Sequence, residues 1–397
     1  MIENPSQSHP PIGKGPLAGV RVLDLSRVLA GPWSTQCLAD LGAEVLKIEA
    51  PGEGDDTRAW GPPSMGGIAA YFTCANRSKS SLTVDLKSAE GQNRIRALAE
   101  IADVVVENFK LGTLERFNLG YADLKAINPR LIYCSVSGYG RTGPDAARAG
   151  YDFLVQAETG LMAMTGFPDG PPTKVGVAVS DLFTGLYATQ AILAALYARQ
   201  SMGQGQLIDV ALFDCQLAAL ANVGASALAT GAPPKRYGNA HPTIVPYELY
   251  ETADEPFVLA LGNDRQFRIL AENVIHMPAL PGDPLYTKNP DRVANRAGLR
   301  EILQAAFLQK PQSHWLGLLH ANGLPAAAVQ TADQALDSDQ ARMRGLIRDF
   351  PDKGDGAIRV VGYPVQFEMG LPEPSRPPKL GEGGEALAQS WLQAKPA

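Results

Sequence analysis

Cysteine is scarce in this chain, four residues in 397, and Cys37, Cys74, Cys134 and Cys215 stand too far apart to match a metal-ligand or dithiol spacing. Reduced, structural thiols and a cytoplasmic location are therefore expected. A basic surplus is also missing: the formal charge is −6, which argues against general nucleic-acid binding and means that an anionic ligand needs locally placed cations. No run reaches the roughly 18 uninterrupted apolar residues of a membrane span, since the longest candidate, Gly185 to Ala198, is broken by Thr189 and Gln190. The opening stretch Met1 to Gly15 is polar with no apolar centre, so neither a secretory signal nor a transit peptide is expected there, only a flexible tail. Internal repeats and charged tails are absent as well. What is left is ordinary globular composition at a length that suits two or three domains.

The N-terminal part reads as alternating strand and helix. Gly19-Val-Arg-Val-Leu-Asp-Leu is a buried strand, Gly31 to Leu41 a helix closed by Gly42, and Ala43-Glu-Val-Leu-Lys-Ile-Glu a second strand. This β-α-β unit places the loop Ser26 to Pro32 at the carboxyl end of a parallel sheet, where open α/β sheets bind ligands. Glu49 ends the second strand as a ribose-binding acid would, but the first turn has no Gly-x-Gly-x-x-Gly, so a nicotinamide enzyme is not expected. Further strands are Ser81 to Leu86, Asp103 to Asn108 and Leu131 to Ser137, with a helix from Ser88 to Ile101. Gly138-Tyr-Gly-Arg-Thr-Gly matches the dinucleotide fingerprint formally, yet no long helix follows, which leaves a substrate-covering loop or a plain surface turn.

Two carboxylates, Asp152 and Asp181, each sit at the start of an apolar helical stretch, where unpaired backbone N–H groups favour negative charge. Two such groups can hold a nucleophile beside an acid or base, or both can be plain N-caps. The helix that Asp181 opens, to Arg199, is apolar on nearly every face and is expected to be buried. Gly203-Gln-Gly-Gln reads as a structural turn into the strand Leu207 to Phe213, and Ala218 to Thr230 as a helix, with a main boundary near Gly231 to Arg236. Beyond it come a hairpin, Tyr247 to Thr252 with Pro256 to Gly262, helices from Arg265 to His320, and a short strand after Gly323. Strands at Gly356 to Gly362 and Pro364 to Phe367, extended chain at Leu371 to Pro378 and a helix at Glu385 to Gln393 complete the chain.

Several ordered blocks, Leu17-Ala-Gly-Val-Arg-Val-Leu-Asp-Leu-Ser-Arg-Val-Leu-Ala-Gly-Pro, Leu41-Gly-Ala-Glu-Val-Leu-Lys-Ile-Glu, Val106-Glu-Asn-Phe, Asn128-Pro-Arg-Leu-Ile, Gly203-Gln-Gly-Gln and Lys379-Leu-Gly-Glu, resemble the class III coenzyme A transferases of the formyl-CoA and carnitine CoA-transferase type. The resemblance implies an α/β fold: a Rossmann-like large domain, a smaller α+β domain, and two chains interlocked as a homodimer. On that layout residues 1–15 are a tail, 16–220 the first part of the large domain, 221–330 linker and small domain, and 331–397 a return to the large domain. It also implies CoA or acyl-CoA as substrate, no metal, nicotinamide or flavin, no nucleic-acid or membrane partner, and a nucleophilic aspartate at Asp181. Gly185, one turn on, would leave room for the thioester, and backbone N–H groups from Val28 to Gly31 could receive the oxyanion. CoA contacts map onto Leu29 and Ala30, onto Val84, Asp85, Leu86 and Lys87, onto Asn108, Phe109, Lys110 and Arg116, and onto Ala149, Gly150, Tyr151 and Asp152. Ala50 departs from the pattern, since formyl-CoA transferase has an arginine there.

The same family includes 2-methylacyl-CoA racemases, whose histidine falls where this chain has Tyr151. An unperturbed phenol is roughly three pKa units too weak as a base at neutral pH, so transfer of CoA between an acyl-CoA and a carboxylic acid is the expected reaction, with racemization and a silent CoA-binding protein as alternatives. His241, Arg236 and Arg265 are candidates to hold a substrate carboxylate. That block looks most like members that handle dicarboxylates, with succinyl-CoA as a candidate donor.

Overall fold

The computed structural model describes residues 14–351 and 356–394, so the expected tail lies almost wholly outside the described residues. The chain forms two compact units, one of Met1–Leu161, Lys174–Ala232 and Asp339–Ala397, the other of Met162–Thr173 and Pro233–Ser338. These limits differ from the sequence-based 220/221 and 330/331. The helix Ala221–Thr230 stays with the larger unit, and the segment Met162–Thr173 joins the smaller one. The second shift has a local cause: the Gly238 N–H donates to Gly166 O at 3.0 Å, and the Arg236 guanidinium donates to the carbonyls of Ala163, Phe167 and Pro168.

The larger unit is built on six parallel strands: β1 (Arg21–Asp24), β2 (Glu44–Glu49), β3 (Ser80–Thr83), β4 (Val104–Glu107), β5 (Ile132–Ser137) and β6 (Leu207–Ala211). Their order, β3-β2-β1-β4-β5-β6, is that of the doubly wound dinucleotide-binding folds. Parallel sheets are covered on both faces and so draw on continuous apolar runs; Val104-Val-Val-Glu is buried at all four positions. On one face α1 (Ala30–Asp40) and α5 (Val179–Met202) pack through Leu38, Val106, Ile132, Ala188 and Ile192. On the other, α2 (Ala89–Ala99) and the C-terminal helix Gly384–Gln393 cover Leu23, Leu46 and Val105 through Ile95, Leu98 and Trp391. Short helices α3 (Tyr121–Ile127), α4 (Asp152–Glu158), α6 (Leu212–Ala218) and α7 (Ala221–Thr230) complete this unit. α6 replaces the expected end of the β6 strand, because Leu212, Cys215 and Gln216 share one buried helical face.

Glycines settle three junctions. Gly203, at φ +70, closes α5, and Gly205 packs so close to Leu131 that a Cβ would sit 2.0 Å from its carbonyl oxygen. Gly384 likewise meets Ser81 O at 2.1 Å, which lets the returning chain lie against β3. The expectation of a wholly buried α5 does not hold. Ser180, Thr184, Gly185, Ala188, Thr189, Ile192 and Ala195 form its buried face, while Leu186, Tyr187, Tyr197 and Met202 are exposed. By length and composition α5 is apolar enough to cross a membrane, although less than half of its most apolar stretch is buried. Thr189, a residue that breaks the apolar run, instead faces inward and donates to Gly185 O at 2.8 Å.

The smaller unit has a three-stranded antiparallel sheet of β7 (Tyr247–Tyr250), β8 (Phe257–Ala260) and β9 (Ala326–Ala328), with β8 central. Helices Arg296–Phe307 and Gln312–Ala321 cover it, and Phe307 makes edge contacts with Tyr250, Phe257 and Trp315 at 5.0–5.3 Å. Late in the chain, β10 (Ile347–Phe350) and β11 (Ile358–Val361) form an antiparallel pair in the larger unit. The strand expected at Pro364 to Phe367 does not form; Pro364 has no N–H to give to a ladder.

Trp391 is 1 % exposed, and its indole N–H donates to Glu44 Oε2 at 2.6 Å. Trp391→Ala should therefore destabilise the protein by about 3–5 kcal/mol, read as a lower urea midpoint, with Trp391→Phe losing less.

Candidate active site

At β1 the strand order reverses, so the connections after β1 and β4 leave in opposite directions and open a crevice at the carboxyl ends of the strands. The crevice is a cleft walled by Arg27–Ala30 after β1, Asn108–Leu111 after β4, Ser135–Gly138 at the end of β5, and Ala149–Tyr151, with Asp181 at its wall. Of the residues expected at a CoA site, Leu29, Ala30, Asn108, Phe109, Lys110, Ala149, Gly150 and Tyr151 line this one cleft together with Asp181. Asp152 stands just behind the wall. Val84, Asp85, Leu86 and Lys87 are not among its lining: they follow the edge strand β3, two strands from β1, where Lys87 is exposed. Arg116 is also outside the lining, exposed on a short turn with its guanidinium 3.4 Å from Thr113 Oγ1.

Three cations in the wall went unnoticed in the sequence: Arg27, Arg141 and Arg148. Arg27 lies over the Phe109 ring at 5.2 Å, and Asn108 holds its backbone by bonding both its N–H and its carbonyl. Arg141 belongs to the Gly138-Tyr-Gly-Arg loop, its backbone N–H donating to Asp209 at 2.9 Å and its guanidinium to Glu115 at 2.7 Å and Ser135 at 3.1 Å. Each of the three arginines is ion-paired, Arg27 with Asp56 at 3.4 Å, Arg141 with Glu115 and Arg148 with Asp145 at 3.2 Å and with Glu158, so with Lys110 they bring cations to the wall beside carboxylates already paired to three of them. The loop bears no helix, so its formal dinucleotide pattern carries no dinucleotide geometry. Its glycines serve an approach instead, since a Cβ on Gly138 would sit 2.5 Å from Gly150 Cα. That contact delivers Tyr151 to the cleft.

Asp181 is the third residue of α5, and burial followed by the charge of Asp152 pushes its carboxyl up to about 7. Asp152 opens α4, but its oxygens work elsewhere: one accepts from the Ser180 N–H at 2.8 Å, the other from Gln156 Nε2 at 2.7 Å, and Gln156 Oε1 accepts from the Val175 N–H at 2.9 Å. The residue before α5, Ala178, supplies no side-chain cap. Asp152 therefore caps α5 from a different helix, and of the two carboxylates only this one does capping work. Tyr71, which the sequence did not single out, stands in the field of Asp181 and Asp152; burial first and then Asp181 push its phenol up to about 12, which keeps it protonated at neutral pH.

Two expectations need correction. A Cβ on Gly185 would lie 2.8 Å from Ala30 O and 3.0 Å from Trp33 Cβ, so this glycine serves the α1–α5 approach, not space for a thioester. The Val28 N–H is taken by Asp55, at 3.2 and 3.3 Å from its two oxygens, so of the expected amides from Val28 to Gly31 this one is not available to an oxyanion. Glu49, already set aside as a ribose ligand for want of the glycine motif, is buried and paired with Arg58 at 2.7 Å and with Ser81.

In the smaller unit, Arg236 gives three of its five N–H donors to backbone carbonyls, as noted above. His241 is half-buried, its Nδ1 accepts from the Thr243 N–H at 3.1 Å and its ring lies 5.2 Å from that of Tyr247, while Arg265 is exposed on the helix Asp264–Ile269. All four cysteines are free thiols, and burial pushes Cys37 up to about 11.

The family model described as CoA-transferase family III matches residues 17–383. The succinate–glutarate CoA-transferase of Agrobacterium fabrum is 45% identical over 379 residues, 94% of either chain. The succinyl-CoA:glutarate CoA-transferase of Mus musculus is 43% identical, covering 95% of this chain and 87% of its own. Among solved structures, a CAIB/BAIF family protein from Brucella suis superposes with a TM-score of 0.84 at 46% identity, over 95% of this chain and 99% of its own.

Because the Asp181 carboxyl is raised from 3.8 to about 7, the native state holds its proton more tightly than the unfolded chain does. That stability is fully present below about pH 4 and is lost as the pH rises through 7. Asp181→Asn removes the loss, so the variant should be more stable than the natural protein by roughly 2–4 kcal/mol at pH 8 and equal to it near pH 4. Urea unfolding at pH 4, 6 and 8 checks the trend.

Proposed function

The chain belongs to CoA-transferase family III and is a CoA-transferase, and from that premise we propose that it moves CoA between an acyl-CoA donor and a dicarboxylic acid through covalent intermediates on Asp181. One observation carries the assignment: a carboxylate raised to about 7 stands at the wall of a cleft at the switch point of the sheet, with Arg27, Lys110, Arg141 and Arg148 in the same lining. A raised pKa makes the ionised form a better nucleophile, and at neutral to mildly alkaline pH enough of it is ionised to attack.

The steps balance as follows. The Asp181 carboxylate attacks the thioester carbonyl, forming a mixed anhydride and expelling CoA thiolate. The thiolate attacks the Asp181 carbonyl of that anhydride, giving an aspartyl-CoA thioester and releasing the donor acid as its carboxylate. The acceptor carboxylate then attacks the aspartyl thioester, again expelling CoA thiolate, which attacks the acyl carbonyl of the new anhydride and frees Asp181. Each tetrahedral oxyanion forms beside the first turn of α1, whose unpaired amides and helix dipole favour it. Asp152 holds the N-terminus of α5, and the phenol of Tyr71 offers a protonated donor near the two carboxylates.

The names of the relatives, succinate–glutarate and succinyl-CoA:glutarate CoA-transferase, support succinyl-CoA as donor and a dicarboxylate such as glutarate as acceptor. His241 and Arg265 are the candidates for the distal carboxylate. Tyr151 in place of a histidine disfavours the racemase reading. A cytoplasmic homodimer completes the proposal: α7 buries none of its side chains, Leu228 is 90% exposed, and Leu186 and Tyr197 of α5 are open as well, a quantity of apolar helix surface that favours a second copy.

Mass spectrometry after incubation with succinyl-CoA and hydroxylamine should find Asp181 converted to its hydroxamate; an active enzyme with unmodified Asp181 would refute the covalent route. Asp181→Ala should lower exchange by 10³-fold or more, on the order seen for lost nucleophiles, while CoA still binds, and kcat/KM should rise with a limb near pH 7. Rapid wash-in of deuterium at the α-carbon of a 2-methylacyl-CoA would favour racemization instead. Sedimentation should give twice the chain mass, shifting towards monomer in Leu228→Lys.

A further inference from the structure

Beneath the cleft lies a buried ionic network that the chemistry above does not use. Lys47, Asp55, Asp24 and Lys79 are each at most 5% exposed, paired as Lys47–Asp55 at 2.8 Å and Lys79–Asp24 at 3.0 Å. Buried ion pairs contribute little net stability compared with well-packed apolar side chains. What these four share is a target, the stretch Ser26–Pro32. Lys47 Nζ donates to Ser26 O at 2.8 Å, Asp24 accepts from the Ser26 N–H at 3.0 Å, Asp55 accepts from the Val28 N–H, and Lys79 Nζ donates to Pro32 O at 2.9 Å. Val28 itself stands at φ +70, a left-handed conformation that a β-branched residue avoids unless its surroundings impose it.

We propose that Asp55 is a positioning residue for acyl transfer: by holding the Val28 N–H it imposes the left-handed turn that aims the first-turn amides of α1 at the thioester carbonyl beside Asp181. The carboxylate is itself fixed from three further directions, by Lys47, by the Thr57 N–H at 3.0 Å and by Thr57 Oγ1 at 2.7 Å. The turn is tight, since a Cβ on Gly31 would lie 2.3 Å from that of Ser26. Relaxation of Val28 to an ordinary conformation would rotate the peptide planes that follow it, and the amides of Ala30 and Gly31 would lose their aim. The inference rests on the proposed reaction at Asp181, yet its structural half can be read without it.

The test compares Asp55→Asn, which removes the charge opposite Lys47, with Asp55→Glu, which keeps the charge and displaces the carboxylate by one methylene. In succinyl-CoA:glutarate exchange both should lose 10- to 100-fold in kcat with KM for succinyl-CoA within threefold, and amide hydrogen exchange over residues 26–31 should quicken. Adding Val28→Gly to either variant should restore kcat at least threefold, because glycine adopts the turn without strain, whereas Val28→Ala should not. Unchanged hydrogen exchange over 26–31 in both variants overturns the proposal whatever the activity. So do kcat values within threefold of the natural enzyme, or equal recovery by glycine and alanine. A natural enzyme with no exchange of CoA at all would instead sink the transferase reading, leaving the hydrogen-exchange arm to decide the role of Asp55.

Discussion

Holding a partly buried carboxylate beside a second carboxylate costs free energy, and the large unit bears that cost at Asp181. Burial and the neighbouring Asp152 both disfavour the ionised form and together push its carboxyl to about 7. The N-terminal turn of α5 works against them, and Asp152 anchors that turn through the Ser180 N–H. The same residue thus raises the pKa of Asp181 and fixes its place, so charge and geometry at this site cannot be varied separately.

The parallel sheet supplies the rest of the constraint. Because β1 is flanked by β2 and β4 on opposite sides, the loops that follow β1 and β4 part, and the cleft exists wherever this strand order exists. Filling the floor of such a crevice with apolar side chains would satisfy packing but would leave the polar backbone of the first loop without partners. Lys47, Asp55, Asp24 and Lys79 meet that need. Two glycine contacts then set the walls: Gly185 lets α5 approach α1, and Gly138 meets Gly150 so that Tyr151 reaches the cleft.

A different consequence follows from the exposed side of α5. A helix with Ser180, Thr184, Gly185 and Ala188 on its buried face packs closely because these residues are small, and its larger apolar residues are turned outward. Leu186, Tyr187 and Tyr197, with Leu228 of α7, leave large apolar side chains exposed on this unit.

The six parallel strands and the helices α1, α2 and α5 were legible in the sequence, because each strand is a short apolar run and these helices carry Ser88 as a cap or a closing glycine, whereas α3 (Tyr121–Ile127), with neither, was not read there. The blocks around Asp24, Lys47, Asn108 and Asp181 also named the family and the aspartate to examine. Less was legible wherever the cause lay far away in the chain. The pairing of β10 with β11 and the attachment of Met162–Thr173 to the smaller unit depend on contacts between distant segments. Arg141 and Arg148 were not singled out, because their place in the cleft wall depends on the close approach of Gly138 to Gly150. Asp152 and Asp181 looked alike, two acids at two helix starts. Local pattern sets which residues can cap a helix or end a strand, and that much the amino-acid order determined. Which carboxylate caps, which one is left at the wall of the cleft with a raised pKa, and which N–H of the first loop Asp55 removes from use were decided by tertiary packing, because burial and charge–charge proximity are properties of neighbours in space.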